Sequence, residues 1–340
     1  MSDNRFDFLE IGDARPPRPA APPPARAPEP VESYIPAITH GPAPRVTAAT
    51  RLPKWRVTER IGSSGNSWGH FAAPGGLAVD IAGNLYVADS YNHRVQRISP
   101  QGDVTPLGTR GSRPGQFLNP QAVVVDLDYR IFALEQGNSR VQAFNSQGEH
   151  LGQFGGPGGG LSQFQGPTGI ALGPCGNLFI ADAGNRRVTK WTRYGQPLGL
   201  IAQTPTGGAF FGSPQGVAVD RAGRIFVADR FRHVILVFNS MFQIEGVIGS
   251  RGDGAGQFNE PQDLALDAEG RIYVAEAGNH RLQILDAEGR TLQILSSAAN
   301  EGAFSAPAGV TVAMNGTVYF ADTGNHRVFR IERYASESSR

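Results

Sequence analysis

Six carboxylates, five arginines and four histidines recur in fixed register along this chain, and their spacing decides whether they form a reaction centre or a frame. The acids are Asp89, Glu135, Asp182, Asp229, Glu276 and Asp322. Five of them are followed, five residues on, by Arg94, Arg140, Arg187, Arg281 and Arg327. Immediately before this arginine slot stand His93, His233, His280 and His326. A ring of imidazoles is zinc chemistry, and paired carboxylates are proton-transfer chemistry. Equivalent positions in separate repeats, however, lie far beyond the roughly 2 Å that a zinc–nitrogen bond requires. The histidine column is therefore expected to make hydrogen bonds, and the acid and arginine columns to form structural pairs. No strand-to-helix turn that would make a nucleophile elbow, and no phosphate-cradling glycine loop before a helix, is present. The expectation is of no catalytic residue, no metal and no cofactor, and of a protein that is not an enzyme.

The elements that must hold these columns follow from the same register. Pro74, Pro120, Pro167, Pro214, Pro261 and Pro307 recur every 46 to 47 residues. Each has a phenylalanine three positions before it: Phe71, Phe117, Phe164, Phe211, Phe258 and Phe304. Each acid stands fifteen positions after its proline. A period of this size, filled with short strands and glycine turns, predicts an all-β propeller in which each repeat buries its faces only against its neighbours. In the third repeat, alternation and turn residues predict strands at Thr168–Leu172, Asn177–Ala181, Arg187–Trp191 and Pro197–Ile201. Asp80, Asp126, Asp220 and Asp267 end first strands, where an aspartate bonds the backbone of its own turn. The last repeat supplies only three strands. An apolar residue thirteen positions before each proline, Ile61 for the first, predicts that Trp55–Ile61 completes the last blade and shuts the ring against edge pairing.

The strings Pro74-Gly-Gly-Leu-Ala-Val-Asp80, Gly83-Asn-Leu-Tyr-Val-Ala-Asp89 and Asn92-His-Arg-Val-Gln96 resemble the NHL repeat, and Asn279-His280-Arg281-Leu282 and Asn325-His326-Arg327-Val328 repeat that signature. The Trp-Asp pair of WD-type blades is absent. The resemblance covers about four-fifths of the chain and implies a six-bladed propeller of four-stranded blades, usually a binding platform. Members of the family include protein- and RNA-binding modules, kinase-associated sensor domains and a few metal-dependent lyases. The fourth repeat departs from the pattern: Arg230-Phe231-Arg232-His233-Val234 puts valine where the arginine belongs. The family's arginine is implied to pair with the acid of the preceding turn, so Asp229 needs another partner, with Arg230 or Arg232 in reach.

Composition bounds the partners. The net charge of +1 offers no bulk field to draw the chain onto nucleic acid or anionic membrane. Cys175 is alone, so no intrachain disulfide forms. Met1–Gly12 carries three carboxylates and no apolar run, which argues against a signal peptide and for a cytoplasmic protein. Twelve of the 25 prolines crowd into residues 14–53, which reads as a disordered, semi-rigid linker. It separates the propeller, 54–334, from a front segment, 1–13, whose Phe6, Phe8, Leu9 and Ile11 read as a docking peptide; residues 335–340 read as a disordered tail.

The functional expectation is an interaction scaffold, a rigid disc tethered to a larger assembly. The resemblance extends to accessory components of bacterial phage-tail-like contractile injection systems. Single-stranded RNA binding and a metal-dependent lyase or hydrolase at the channel mouth are the alternatives. Strand alternation puts the long loops before each proline and the turns after each acid on one face. That face should carry Trp68, His70, Arg110, Arg113, Phe210, Arg230, Phe231, Arg232 and Arg251, and the partner-binding candidates are Trp68, His70, Arg230, Phe231 and Arg232. Asp263 replaces the small residue of the other repeats and, with Gln121, Gln215 and Gln262, should line a polar opening of the channel.

Overall fold

The computed structural model describes residues 53–204 and 207–334, so the front segment 1–13, the tail 335–340 and all but the last residue of the proline-rich stretch lie outside the described residues. The described chain forms six four-stranded antiparallel sheets arranged as blades. Blade 3 has strands Pro167–Leu172, Leu178–Asp182, Arg187–Trp191 and Pro197–Ile201, within a residue of the spacing-based reading. Each blade begins with its innermost strand. These first strands touch in sequence around the ring, and that of blade 6, Gly309–Val312, returns to that of blade 1, Pro74–Val79. The long loops and the turns after the acids lie on one face, here the loop face. The turns between first and second strands lie on the other, the turn face.

Two packing rules set the geometry. The phenylalanine before each proline is driven under its loop: Phe71, Phe117, Phe164, Phe211 and Phe258 are wholly buried and Phe304 nearly so. In four blades the ring takes the space above a glycine held at positive φ, Gly62, Gly108, Gly155 or Gly249; a Cβ on Gly108 would stand 2.3 Å from Phe117, so no other residue fits there. Around the channel the first strands approach too closely for side chains. A Cβ on Gly76 would lie 2.9 Å from the Cα of Ala122, and one on Gly309 only 2.2 Å from the Gly75 carbonyl. Small residues at Gly76, Ala122, Gly169, Gly216 and Gly309 are thus a steric requirement, and Asp263 is the exception to it.

The ring closes as the strand count requires. Lys54–Ile61 pairs antiparallel with Arg327–Tyr334 and becomes the outer strand of blade 6, with Trp55 opposite Arg333 and Ile61 opposite Val328. Trp55 also crosses to blade 5. Its indole is 1% exposed and meets Tyr273 edge-on at 6.1 Å, while its backbone exchanges two 2.8 Å hydrogen bonds with the Gln293 amide. Burial of this magnitude makes Trp55 the main anchor of the closing strand. Trp55→Ala is expected to cost about 3–5 kcal/mol in chemical unfolding, and deletion of residues 54–61 to yield aggregates on size exclusion, whereas the protein lacking residues 1–50 is expected to elute without aggregates.

Candidate functional site

The acid column is a frame of buried charge. Asp89 has no exposure, and its Oδ2 accepts hydrogen bonds from Arg94 Nε at 2.8 Å, Asn92 Nδ2 at 2.8 Å and Gln96 Nε2 at 2.9 Å. Its Oδ1 accepts from the Ala72 backbone N–H at 2.7 Å. Glu135 and Glu276 repeat all four contacts with Arg140 and Arg281. A carboxylate bonded by four donors in a buried frame is held for structure rather than offered for chemistry. The arginines then use their other nitrogens on loop carbonyls: Arg187 donates to those of Gly159, Gly160 and Gln163. Each acid–arginine pair thereby fixes one long loop of the loop face.

Each histidine of the column joins two blades. His93, His233, His280 and His326 are held at φ between 52° and 59°. Their Nδ1 atoms accept the backbone N–H of Asn119, Glu260, Ala306 and Ala73 in the following blade at 2.9 to 3.1 Å. Accepting there requires the neutral ring with its proton on Nε2. Among the described residues no group of three or more His, Cys, Asp or Glu side chains gathers as a metal cluster would.

The fourth repeat solves its missing arginine differently from expectation. Asp229 is met chiefly by backbone: it accepts the N–H groups of Gly212, Ser213, Phe231 and Arg232 at 2.6 to 3.1 Å. Arg230 turns outward to Glu260, with Nη2 at 2.7 Å from its carboxylate. Arg232 folds inward, donating to the Ala209 carbonyl at 3.0 Å with its Nε 3.8 Å from Asp229. That Nε is buried without a hydrogen-bond partner, and burial pulls the guanidinium below the usual arginine pKa.

The surface candidates therefore divide. Trp68 and Phe231 stand out, at 66% and 71% exposed, and His70 is exposed beside Trp68. Arg230 is exposed, Arg232 is mostly covered by its loop, and Phe210, expected on the surface, is packed into the core against Phe238. Trp68 and His70 belong to blade 1 and the Arg230–Arg232 stretch to blade 4, on opposite sides of a six-membered ring. Sequence reasoning missed Tyr91, 69% exposed, which occupies in blade 1 the slot of Phe231 in blade 4. The signal was the column itself, two residues after the acid.

The channel candidates do come together. Gln121, Gln215, Gln262 and Asp263, with Thr168, line a cavity of about 230 Å³ between the first strands. Asp263 is not a solvated ornament there. Its Oδ2 accepts the Val310 N–H of blade 6 at 3.0 Å, and its Oδ1 fills the space a Cβ on Gly216 of blade 4 would need. Burial pushes its carboxyl up to about 7 against the opposing pull of the Val310 and Leu264 N–H groups.

Three segments, 71–98, 211–238 and 258–285, match the NHL repeat. The chain carries NHL repeats on a six-bladed propeller. No curated protein matches it significantly. Among solved structures, the NHL propeller is similar to a streptogramin B lyase, with TM-score 0.58 and 14% identity over 84% of this chain and all of that one. It is similar to a gluconolactonase from Xanthomonas campestris, with TM-score 0.61 and 15% identity over 87% and 99% of the two chains. It is also similar to the PQQ-bound aldose sugar dehydrogenase of Streptomyces coelicolor, with TM-score 0.56 and 16% identity over 83% and 98%. At these identities the likeness is one of fold. It nevertheless corrects the expectation that the protein is not an enzyme: that expectation rested on absent motifs and on the propeller being a platform, and this architecture carries lyase, lactonase and dehydrogenase chemistry.

Two titrations follow from the NHL propeller's geometry. Burial, then Arg110, lowers the pKa of His93; burial, then Arg251, lowers that of His233, although Glu260 and Asp229 pull the other way. The folded state resists protons that the unfolded chain accepts near 6.5, so stability falls as pH drops through that value. The double variant H93N/H233N keeps an acceptor in a residue that tolerates positive φ, and its melting temperature is expected to fall less than wild type between pH 7 and 5. Asp263 has the opposite sign, since its raised pKa destabilises the fold as pH climbs from about 4 past about 7. Asp263→Asn is therefore expected to melt higher than wild type at pH 8, with the difference vanishing toward pH 4.

Proposed function

We infer that the protein is a binding propeller whose loop face docks a protein partner carrying acidic groups, as a subunit of a larger assembly. The observation that carries this reading is the pairing of protruding aromatics with unpaired cations. Trp68, Tyr91 and Phe231 are each about two-thirds exposed. Arg110, Arg113, Arg186 and Arg251 are exposed on the same face, and among the described residues none of them has a carboxylate partner. Aromatic and arginine side chains are the commonest energetic anchors of protein interfaces. The acid–arginine pairs beneath hold the loops rigid, which spares a partner the ordering cost of binding.

Replacing Trp68 and Phe231 together by alanine is expected to weaken partner capture by about 2 kcal/mol or more without moving the melting temperature, since neither side chain is buried. Capture unchanged by that double variant overturns the loop-face reading. The same face offers stacking planes and guanidinium groups to single-stranded RNA. Oligonucleotide binding that falls steeply with salt is the result that would replace a protein partner with RNA.

A second reading rests on Asp263, a carboxyl that titrates near neutrality inside a polar channel. A cavity of this size holds a small polar molecule, and an acid–base group poised near pH 7 suits hydrolysis of an ester or lactone, the class acted on by the gluconolactonase it resembles in fold. Lactone hydrolysis abolished in Asp263→Asn would support this reading, and none by the wild type would remove it.

A further inference from the structure

The turn face carries a feature that the loop-face reading leaves unused. At the second position of the turn joining first to second strand, blades 6, 1 and 2 place Met314, Ile81 and Leu127, which are 80%, 50% and 74% exposed. Such turns favour Gly, Asn, Asp and Ser, and blades 4 and 5 have Arg221 and Ala268 at the same position. One exposed apolar side chain needs no explanation. Three in the same turn of consecutive blades, whose first strands touch their neighbours, set an apolar crescent along one side of the turn face, of the kind that marks a binding surface.

Where the chain enters the ring indicates what covers the crescent. Outer strands run from the turn face to the loop face, so Lys54 starts on the turn face, and Tyr334, paired with it, ends there. Trp55 and Arg333 line an open depression of about 780 Å³ whose wall includes Met314 and the turns at Asp220 and Asp267. The acids of that wall are already paired: Asp220 with Arg224, Asp267 and Glu269 with Arg271, and Glu332 with Arg330. Arg221 and Arg333 have no carboxylate partner among the described residues. The depression thus meets the crescent at Met314 and holds two unpaired cations beside it.

We propose that the chain's own N-terminal segment, through Phe6, Phe8, Leu9 and Ile11, docks on the crescent of Met314, Ile81 and Leu127. The segment carries four apolar residues suited to the crescent and two acids, Asp7 and Glu10, of the sign that the adjoining depression's unpaired arginines attract. Reach is not limiting. Forty-two residues lie between Ile11 and Lys54, and at about 3.3 Å each they extend to on the order of 140 Å, against a radius of gyration of about 19 Å for a domain of this size. Tethering also sets a local concentration in the millimolar range, so even a weak contact is well occupied.

Labelling the methionine methyl groups with carbon-13 reads this seat directly in the full chain. Met314 belongs to the crescent, while Met241, 72% exposed in an outer turn of blade 4, is a control away from it. Deleting residues 2–13, or making Phe6→Ala with Phe8→Ala, is expected to move the Met314 resonance and leave Met241 unmoved. A synthetic peptide of residues 1–13 should return Met314 to its original position in the truncated protein. Neither change touches the ring, so folding is preserved. A Met314 resonance identical in full-length and truncated protein overturns the proposal. So does a shift that grows with protein concentration, which would assign the crescent to the segment of a second copy, or one that appears only with an external partner present.

Discussion

The structure depends on buried carboxylates that are completely hydrogen-bonded. Six times the chain takes an acid out of water, which is tolerable only if every lone pair is met. In five blades the same few donors meet it: an arginine, an asparagine and a loop N–H, with a glutamine added in three. The acid ends the second strand, the arginine opens the third, and the N–H belongs to the loop before the proline. One network therefore joins the parts of a blade most distant in sequence and fixes the loop above it. Losing the arginine alone would strand the charge, and this explains why blade 4, lacking it, rebuilds the site from four backbone N–H groups rather than leaving Asp229 with one distant guanidinium.

The seams between blades depend on a different economy. First strands are so close that five of the six blades carry glycine or alanine there, and in four seams the residue before the proline is held by a neighbour across the seam. Histidine does this in four of six places because its left-handed backbone leaves Nδ1 aimed at the next blade. Blade 3 receives no such bond from Ser139 and gives none from Arg186. Its following seam is the one where Ser213 turns to Asp229 instead. The fourth repeat's departure from pattern is thus coupled to its neighbour's, and the two changes make one local rearrangement.

Most of the fold was legible because it is written in periods. The proline, phenylalanine and acid columns located the blades, and counting strands in the last repeat revealed the closure. The candidate site was legible only in part. Trp68 and Phe231 protrude as their loop positions predict, but Arg232 and Phe210 turn inward, since a residue in an irregular loop has no period to say which way it faces. Asp263 was visible as an exception in a column of small residues. Its near-neutral titration was not, because that depends on how tightly neighbouring blades enclose it. The turn-face crescent escaped for the opposite reason: each member looks unremarkable alone, and only the ring places them side by side.

The pairing of Lys54 with Tyr334 has a mechanical consequence. Both ends of the closed ring leave at the same point, as the first rung of the ladder that seals it. Tension applied between the two termini would not shear that ladder along its length, loading all its hydrogen bonds together. It would peel the closing strand away one rung at a time, from Lys54 toward Ile61, until Trp55 and its successors were out. A disc held together by the concerted packing of six blades can therefore be opened by a modest pull in one particular direction.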